Sequence, residues 1–329
     1  MKFKHFFSLA ALSLMAAASL TSCEDILGHW EKPTSITPTP SEPEDKSGSD
    51  LLTGKFTING SGDQVQFSQG NLQATTNDLG ATWTWAFAEH QWDYIGGTTD
   101  ASDASATTNN KINGNGTVSV NGTVDLFGWV GASNTTWTGA AIYGISNSTT
   151  TADYGTNATE ALKSDWGTNM VPAGWRTLTS AEWTYLFSTR ETGGTVFGTE
   201  KARYAHATIN TDGTGVKGMI LFPDGVDIAS SEVTTAGTVN NTSEYATKCT
   251  SAQWTALEAK GCVFLPAAGR RNGTTVDYAG STGYYWSSSP DGSDAGDAYR
   301  VRFDSGFLNP AYDDFRYLGF SVRLVRPVE

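Results

Sequence analysis

YRVRF, residues 299–303, alternates aromatic or branched side chains with arginine. In an extended chain successive side chains point to opposite faces, so Tyr299, Val301 and Phe303 share one face and Arg300 and Arg302 the other. FSVRLVRPV, residues 320–328, repeats the pattern, with Phe320, Val322 and Leu324 on one side. KGMILFPDG (217–225) and GCVFLPAAG (261–269) are short apolar runs bounded by Gly, Pro or Asp, and read as further strands. Helices are announced by two capping boxes, TSAEWT (179–184) and TSAQWT (250–255). In each, the threonine hydroxyl serves an orphan N–H while Glu182 or Gln253 reaches back. Trp183, Leu186 and Phe187 then fall at i, i+3 and i+4, as Trp254 and Leu257 do at i and i+3, which makes one apolar stripe per helix. The sum is an α+β fold, a central antiparallel sheet with two short helices and long loops.

Composition agrees with one sizeable core. Of 329 residues 38% are hydrophobic, with 11 Trp, 12 Tyr and 15 Phe. A formal net charge of −13 argues against nucleic acid as a partner, since phosphate binding depends on clustered Lys and Arg. Cys249 and Cys262 bracket the second helix; along a helical path they are too far apart for a bridge, so a disulfide requires the chain to fold back, and two buried thiols fit equally well.

Residues 1–22 read as an export signal. Lys2 and Lys4 precede the apolar run FFSLAALSLMAAASL, which is short for a membrane span. The run ends in LTSC, which resembles the bacterial lipobox and marks Cys23 for acylation, a membrane attachment through acyl chains. Glu24 and Asp25 resemble the export tag of Bacteroidetes lipoproteins that reach the outer face of the outer membrane. Residues 23–52, rich in Pro, Ser, Thr and acidic residues, read as an extended tether, and 53–329 as the folded domain.

Within that domain, VQFSQGNLQ (65–73), FAEHQWDYIG (87–96), DLFGWVG (125–131), DWGTN (165–169), GWRTLTSAEWTYLFSTR (174–190), KGMILFPDG, GCVFLPAAGRR (261–271), GYYWSSS (283–289) and GFSVRLVR (319–326) stand in order. Together they resemble the Bacteroidetes surface lipoproteins with a C-type-lectin-like domain of the formylglycine-generating-enzyme type. That group includes variable proteins of diversity-generating retroelements and their Fibrobacter succinogenes major paralogous domain relatives. The resemblance implies a lectin-like fold whose C-terminal segment, 287–319, is a ligand-display surface open to adenine-directed mutagenesis. Codons rewritten that way cannot encode Lys, Glu, Gln, Met or Trp, and none of these occurs from Pro290 to Gly319.

On the family pattern Trp286, Ala298, Tyr299, Val301, Phe303, Ser305, Pro310, Arg316, Gly319 and Phe320 are the frame. The residues between them form the candidate contact set: Asp291, Asp294, Asp297, Arg300, Arg302, Asp304, Phe307, Leu308, Asn309, Tyr312, Asp313, Asp314, Phe315, Tyr317 and Leu318. Rigid aromatic area with Arg and Asp for charge complementarity suits a paratope.

Catalytic patterns are weak. The reactive cysteine pair of formylglycine-generating enzymes has no counterpart, because no Cys follows Cys262. His29, His90 and His206 show no metal-ligand spacing. Glu89, His90 and Asp93 beside Trp92 read as a satisfied polar cluster, and no G-x-S-x-G elbow is present. Asp291, Asp294 and Asp297 are oxygen ligands three apart, but Arg302 stands where a calcium loop needs a bidentate Glu. The Glu-Pro-Asn and Trp-Asn-Asp signatures of sugar-binding C-type lectins are also missing from the C-terminal half. The expectation is therefore a non-enzymatic, lipid-anchored surface protein with no cofactor or metal, binding a protein or cell-surface ligand. The alternatives are a structural or adhesin-like envelope lipoprotein and a divergent formylglycine-generating-type enzyme.

Overall fold

A computed structural model of the chain describes residues 50–329 with the exception of Asp212 and Ser243. Residues 1–49, with the stretches read as signal peptide and tether, Cys23 and His29, lie outside the described residues. Folded structure is already present at Leu51, which bridges Ser68, and at Leu52, whose N–H donates to Phe67 O at 2.9 Å and whose side chain is buried.

The elements that position the site are, in chain order, β1 (Gln64–Phe67), α1 (Ser180–Thr184), β2 (Tyr204–Thr211), β3 (Thr214–Leu221), β4 (Thr247–Thr250), α2 (Ser251–Ala259), β5 (Val263–Pro266), β6 (Gly283–Pro290), β7 (Asp297–Asp304), β8 (Phe307–Phe315) and β9 (Leu324–Pro327). Sheets dominate, mostly antiparallel, with two short α-helices, an α+β arrangement. The strands form several small sheets, not one central one, and all of the described residues lie in one compact unit.

Two of these sheets act as partitions between hydrophobic clusters. In the sheet ordered β4-β2-β3-β5, Met219, Leu221, Val263 and Leu265 face a cluster that holds Trp183 of α1. Ile220 and Phe264 face the opposite cluster, which holds Trp254 and Leu257 of α2. Burial on both faces explains why KGMILF and CVFLP are continuous apolar runs instead of alternating ones. The antiparallel pairing of β1 with β9, Phe67 opposite Val325, places the first and last parts of the domain side by side.

Both capping boxes form. Thr179 accepts from the Glu182 N–H while Glu182 accepts from the Thr179 N–H, and Thr250 and Gln253 repeat the exchange. The first helix is shorter than its apolar stripe suggests: after Thr184 the chain winds through a π turn, Tyr185–Thr189, that still buries Leu186 and Phe187. Thr250→Ala should lower the unfolding free energy by about 1 kcal/mol, measured by urea denaturation, because it orphans a helix N–H.

The third sheet, β6-β7-β8, carries the C-terminal segment. Tyr285, Val301 and Phe303 face the α1 cluster, whereas Tyr284, Trp286 and Ala298 face a second cluster with Trp129, Trp166 and Phe320. Two glycines are required here by contact. A Cβ on Gly283 would sit 2.1 Å from the Phe303 ring paired opposite it, and one on Gly319 would lie 2.9 Å from Arg271, its bridge partner.

FSVRLVRPV is only partly strand. Regular pairing covers Leu324–Pro327, while Phe320 and Ser321 make isolated bridges to Phe127 and Tyr285. Its alternation does not separate inside from outside, since Ser321 and Arg323 are as buried as Phe320 and Val322. Arg323 donates from both terminal nitrogens to Gln91 Oε1 at 2.7 Å and to the Gln69, Phe264 and Asn71 oxygens at 3.3 Å, so a guanidinium that the apolar pattern would have sent outward is held inside by neutral oxygens.

Candidate ligand-binding surface

YRVRF is strand, as its alternation indicates, and it belongs to a β-hairpin that makes up most of residues 287–319. β7 and β8 pair antiparallel from Asp297 opposite Phe315 to Asp304 opposite Phe307, with Ser305 and Gly306 as the connection. Pro310, Asp313 and Asp314 disfavour strand, and the pairing overrides that preference. Pro310 is accommodated because the register shifts between Arg300 and Arg302, so that it lies in a bulge on an edge strand. The irregular parts are the turn at Arg316–Leu318 and the loop Asp291–Gly296, where Asp291 accepts from Ser293 Oγ and from the Asp294 N–H at 2.9 Å, and Asp294 accepts from the Gly296 N–H at 2.7 Å.

Exposure divides the candidate set differently from the family pattern. Arg300, expected on display, is 2% exposed. Its Nε and Nη2 donate to Asp314 Oδ2 at 2.9 and 2.6 Å. Its guanidinium lies 4.7 Å from the Tyr312 ring centroid, 4.9 Å from Tyr284 and 5.2 Å from Phe320. Leu318, 2% exposed, belongs to the Trp286 cluster, and Leu308 is half-buried against the α1 cluster. Arg300 and Leu318 therefore support the surface instead of forming it.

Arg302 lies 4.9 Å over Phe307 and pairs with Asp304 at 3.1 Å, half-buried. Asn309 is turned to the Ala311 N–H at 2.9 Å. Among the frame residues Trp286, Ala298, Val301, Phe303, Arg316 and Phe320 are buried, Ser305 is exposed and Pro310 half-buried. Arg316 donates to Glu160 Oε1 at 2.6 Å, and its guanidinium lies 4.5 Å from the Trp129 ring centroid.

What remains outward is one patch of sheet face. Directly opposed residues of an antiparallel pair share a face, so Tyr299 with Asp313 and Asp297 with Phe315 form a square of alternating aromatic and acidic side chains. The face that is core at Val301 and Phe303 thus emerges at Tyr299, a residue the sequence assigns to the frame. Phe315, 46% exposed, stacks on Tyr317 with ring centroids 5.2 Å apart. Asp291 and Asp294 border the square. On the opposite face Tyr312 is 37% exposed over Arg300. Tyr278, at 53% exposure with φ of 61°, is a further displayed aromatic missed by sequence reasoning; its only signal is an aromatic in the Gly-flanked turn VDYAG.

The Asp297 carboxyl is pushed up to about 6 by partial burial and by the neighbouring charges of Asp294, Asp313, Asp314 and Asp291. A second carboxyl in that range, Asp125, is raised to about 6 by complete burial, against hydrogen bonds donated by Asn109 Nδ2 and the Ile95 N–H at 2.7 Å. For a raised carboxyl the folded state holds a proton that the unfolded chain releases, so stability falls as pH rises from about 4 to about 6 and the deficit is complete above that. For Asp125 the deficit is on the order of 3 kcal/mol at neutral pH. Asp125→Asn should remove that decline from a plot of unfolding free energy against pH, apart from a constant offset for the lost acceptor. Parallel wild-type and variant curves between pH 4 and 6 would contradict the assignment.

Elsewhere, His90 Nδ1 lies 3.0 Å from Asp93 Oδ2 and its ring stacks on Trp92 at 4.7 Å, both groups being exposed. Among the described residues no group of three or more His, Cys, Asp or Glu could hold a metal ion. Cys249 and Cys262 are free and buried; burial pushes the Cys249 thiol up to about 12 and the Cys262 thiol in the same direction. Both stay protonated at neutral pH and are poor nucleophiles. No helix of the described residues is long and apolar enough to cross a membrane.

Residues 224–325 match the family model of a domain of unknown function (DUF8237), a stretch that includes the whole β6-β7-β8 sheet. Neither curated proteins nor solved structures gave a match to the chain.

Proposed function

We propose that this protein is a lipid-anchored binding protein of the cell surface, with a C-type-lectin-like domain whose C-terminal hairpin recognises an extracellular protein or cell-surface ligand. The observation that carries the reading is the patch of Tyr299, Asp313, Asp297 and Phe315 with Tyr317: aromatic rings reach solvent on a sheet held from beneath by the buried Ala298, Arg300, Val301 and Phe303. Rigid exposed aromatics on an ordered support lose little entropy on binding. The lipobox-like LTSC and the Pro-rich stretch after it support anchoring and presentation away from the bilayer. The motifs behind the lectin-like resemblance are those that build the core, with Trp129, Trp183, Trp286 and Phe320 all buried. Residues 287–319 would be the segment open to diversification.

The test is an array of extracellular proteins and glycans probed with the mature chain and with a Tyr299→Ser, Asp313→Ser, Phe315→Ser variant. Loss of a captured ligand in the variant, with an unchanged melting temperature, is the expected result. Equal capture by both forms, or no capture by either, would instead favour a structural envelope protein. Anchoring is checked separately: a fatty-acid analogue should label the wild type and not Cys23→Ala.

A further inference from the structure

We propose that the ligand met by this face is cationic, an arginine- or lysine-bearing segment of another protein; the proposal rests on the binding reading above and names its partner's chemistry. It starts from which charges the hairpin has already used. Each arginine of the segment is engaged internally: Arg300 with Asp314, Arg302 with Asp304, and Arg316 with Glu160. None is left on the hairpin to meet an anionic ligand.

The displayed square combines the two groups that hold a guanidinium or ammonium. Phe315 and Tyr317 offer stacked aromatic rings, and Tyr299 stands beside Asp313. A cation over an aromatic face gains from the ring quadrupole, and a carboxylate at the rim supplies the countercharge. Among the described residues Asp291, Asp294 and Asp313 have no arginine or lysine ion pair, whereas Asp304 and Asp314 do. The same chemistry already operates one layer down, where Arg300 lies between the Tyr312, Tyr284 and Phe320 rings with Asp314 at its edge. The surface square is a like arrangement of aromatic and carboxylate groups with the cation position open to solvent.

Charge on the whole chain acts in the same sense. A net charge of −13 draws a basic partner towards the surface and repels nucleic acid or an acidic glycan, an effect that weakens as salt rises.

The experiment titrates the mature chain with three synthetic peptides of equal length, glycine alternating with arginine, with lysine or with glutamate, followed by fluorescence anisotropy at low and physiological salt. The arginine peptide is expected to bind tightest, the lysine peptide more weakly and the glutamate peptide not at all. Affinity should fall at least tenfold in an Asp291→Asn, Asp294→Asn, Asp313→Asn variant that melts with the wild type, and also in Phe315→Ser. Equal binding of the glutamate peptide, no binding of either basic peptide, or binding that the face variants leave unchanged would each overturn the proposal. If the basic peptides fail while the array still shows a ligand lost on mutation of the square, the partner chemistry is wrong and the binding reading stands. If that ligand is unaffected as well, both fall.

Discussion

Arg300→Ala is expected to lower the unfolding free energy by about 3–5 kcal/mol, because it strands the half-buried Asp314 carboxylate and empties a space walled by three aromatic rings. The contrast that gives this result meaning is Phe315→Ser at the exposed square, expected within about 1 kcal/mol of wild type. A surface contact residue would behave like Phe315, so the pair of measurements separates support from display. Replacing both partners, Arg300→Met with Asp314→Leu, should recover more than half of the loss, since a buried ion pair is often exchangeable for apolar groups of similar size while half of one is not. Urea denaturation of the three variants decides the matter. An Arg300→Ala loss below about 1 kcal/mol would return Arg300 to the surface set.

Trp286→Ala should cost a comparable about 3–5 kcal/mol. The indole is fully buried, packs on Phe320 with centroids 4.4 Å apart, and donates to Phe127 O at 2.6 Å. Its loss opens a large void and removes one of the two donors to the Phe127 carbonyl, which keeps the Phe320 N–H at 2.9 Å, at the point where β6 meets the extended Phe320–Arg323 segment. Trp286→Phe retains most of the volume but not the donor, and should fall between the two. The unfolding midpoint in urea gives the order directly, and a near-neutral alanine variant would show that the Trp129 cluster does not hold the hairpin's inner strand.

Much of the scaffold was legible from local rules. The capping boxes at Thr179 and Thr250 mark helix starts because a threonine hydroxyl and a Glu or Gln three residues on can only exchange hydrogen bonds in that geometry. KGMILF and CVFLP were recognised as strands from their composition. The alternation in YRVRF was read correctly as to face and incorrectly as to exposure. Val301 and Phe303 do face the core, but Tyr299 on the same face reaches solvent, and Arg300 on the opposite face is buried. Periodicity assigns side chains to faces and says nothing of where along a strand a covering element stops. The hairpin itself was missed for a different reason. Pro310, Asp313 and Asp314 argue against strand locally, and only the β7 partner and the bulge that houses Pro310 make β8.

The sequence by itself determined the class of fold, the two capped helices, the apolar strands and the stretch in which display and frame residues alternate, all of which follow from side-chain period and local hydrogen bonding. The tertiary structure decided which charges are free. Arg300, Arg316 and Arg323 carry the same outward-pointing signal in a sequence as any surface arginine, and each is buried because distant residues supply its aromatic or oxygen partners: Tyr284 and Asp314, Trp129 and Glu160, and Gln91. Burial of a cation depends on such remote partners, so it is written in the packing and not in the spacing. What those arginines leave outside is an acidic and aromatic face, where the spacing alone had indicated one of mixed charge.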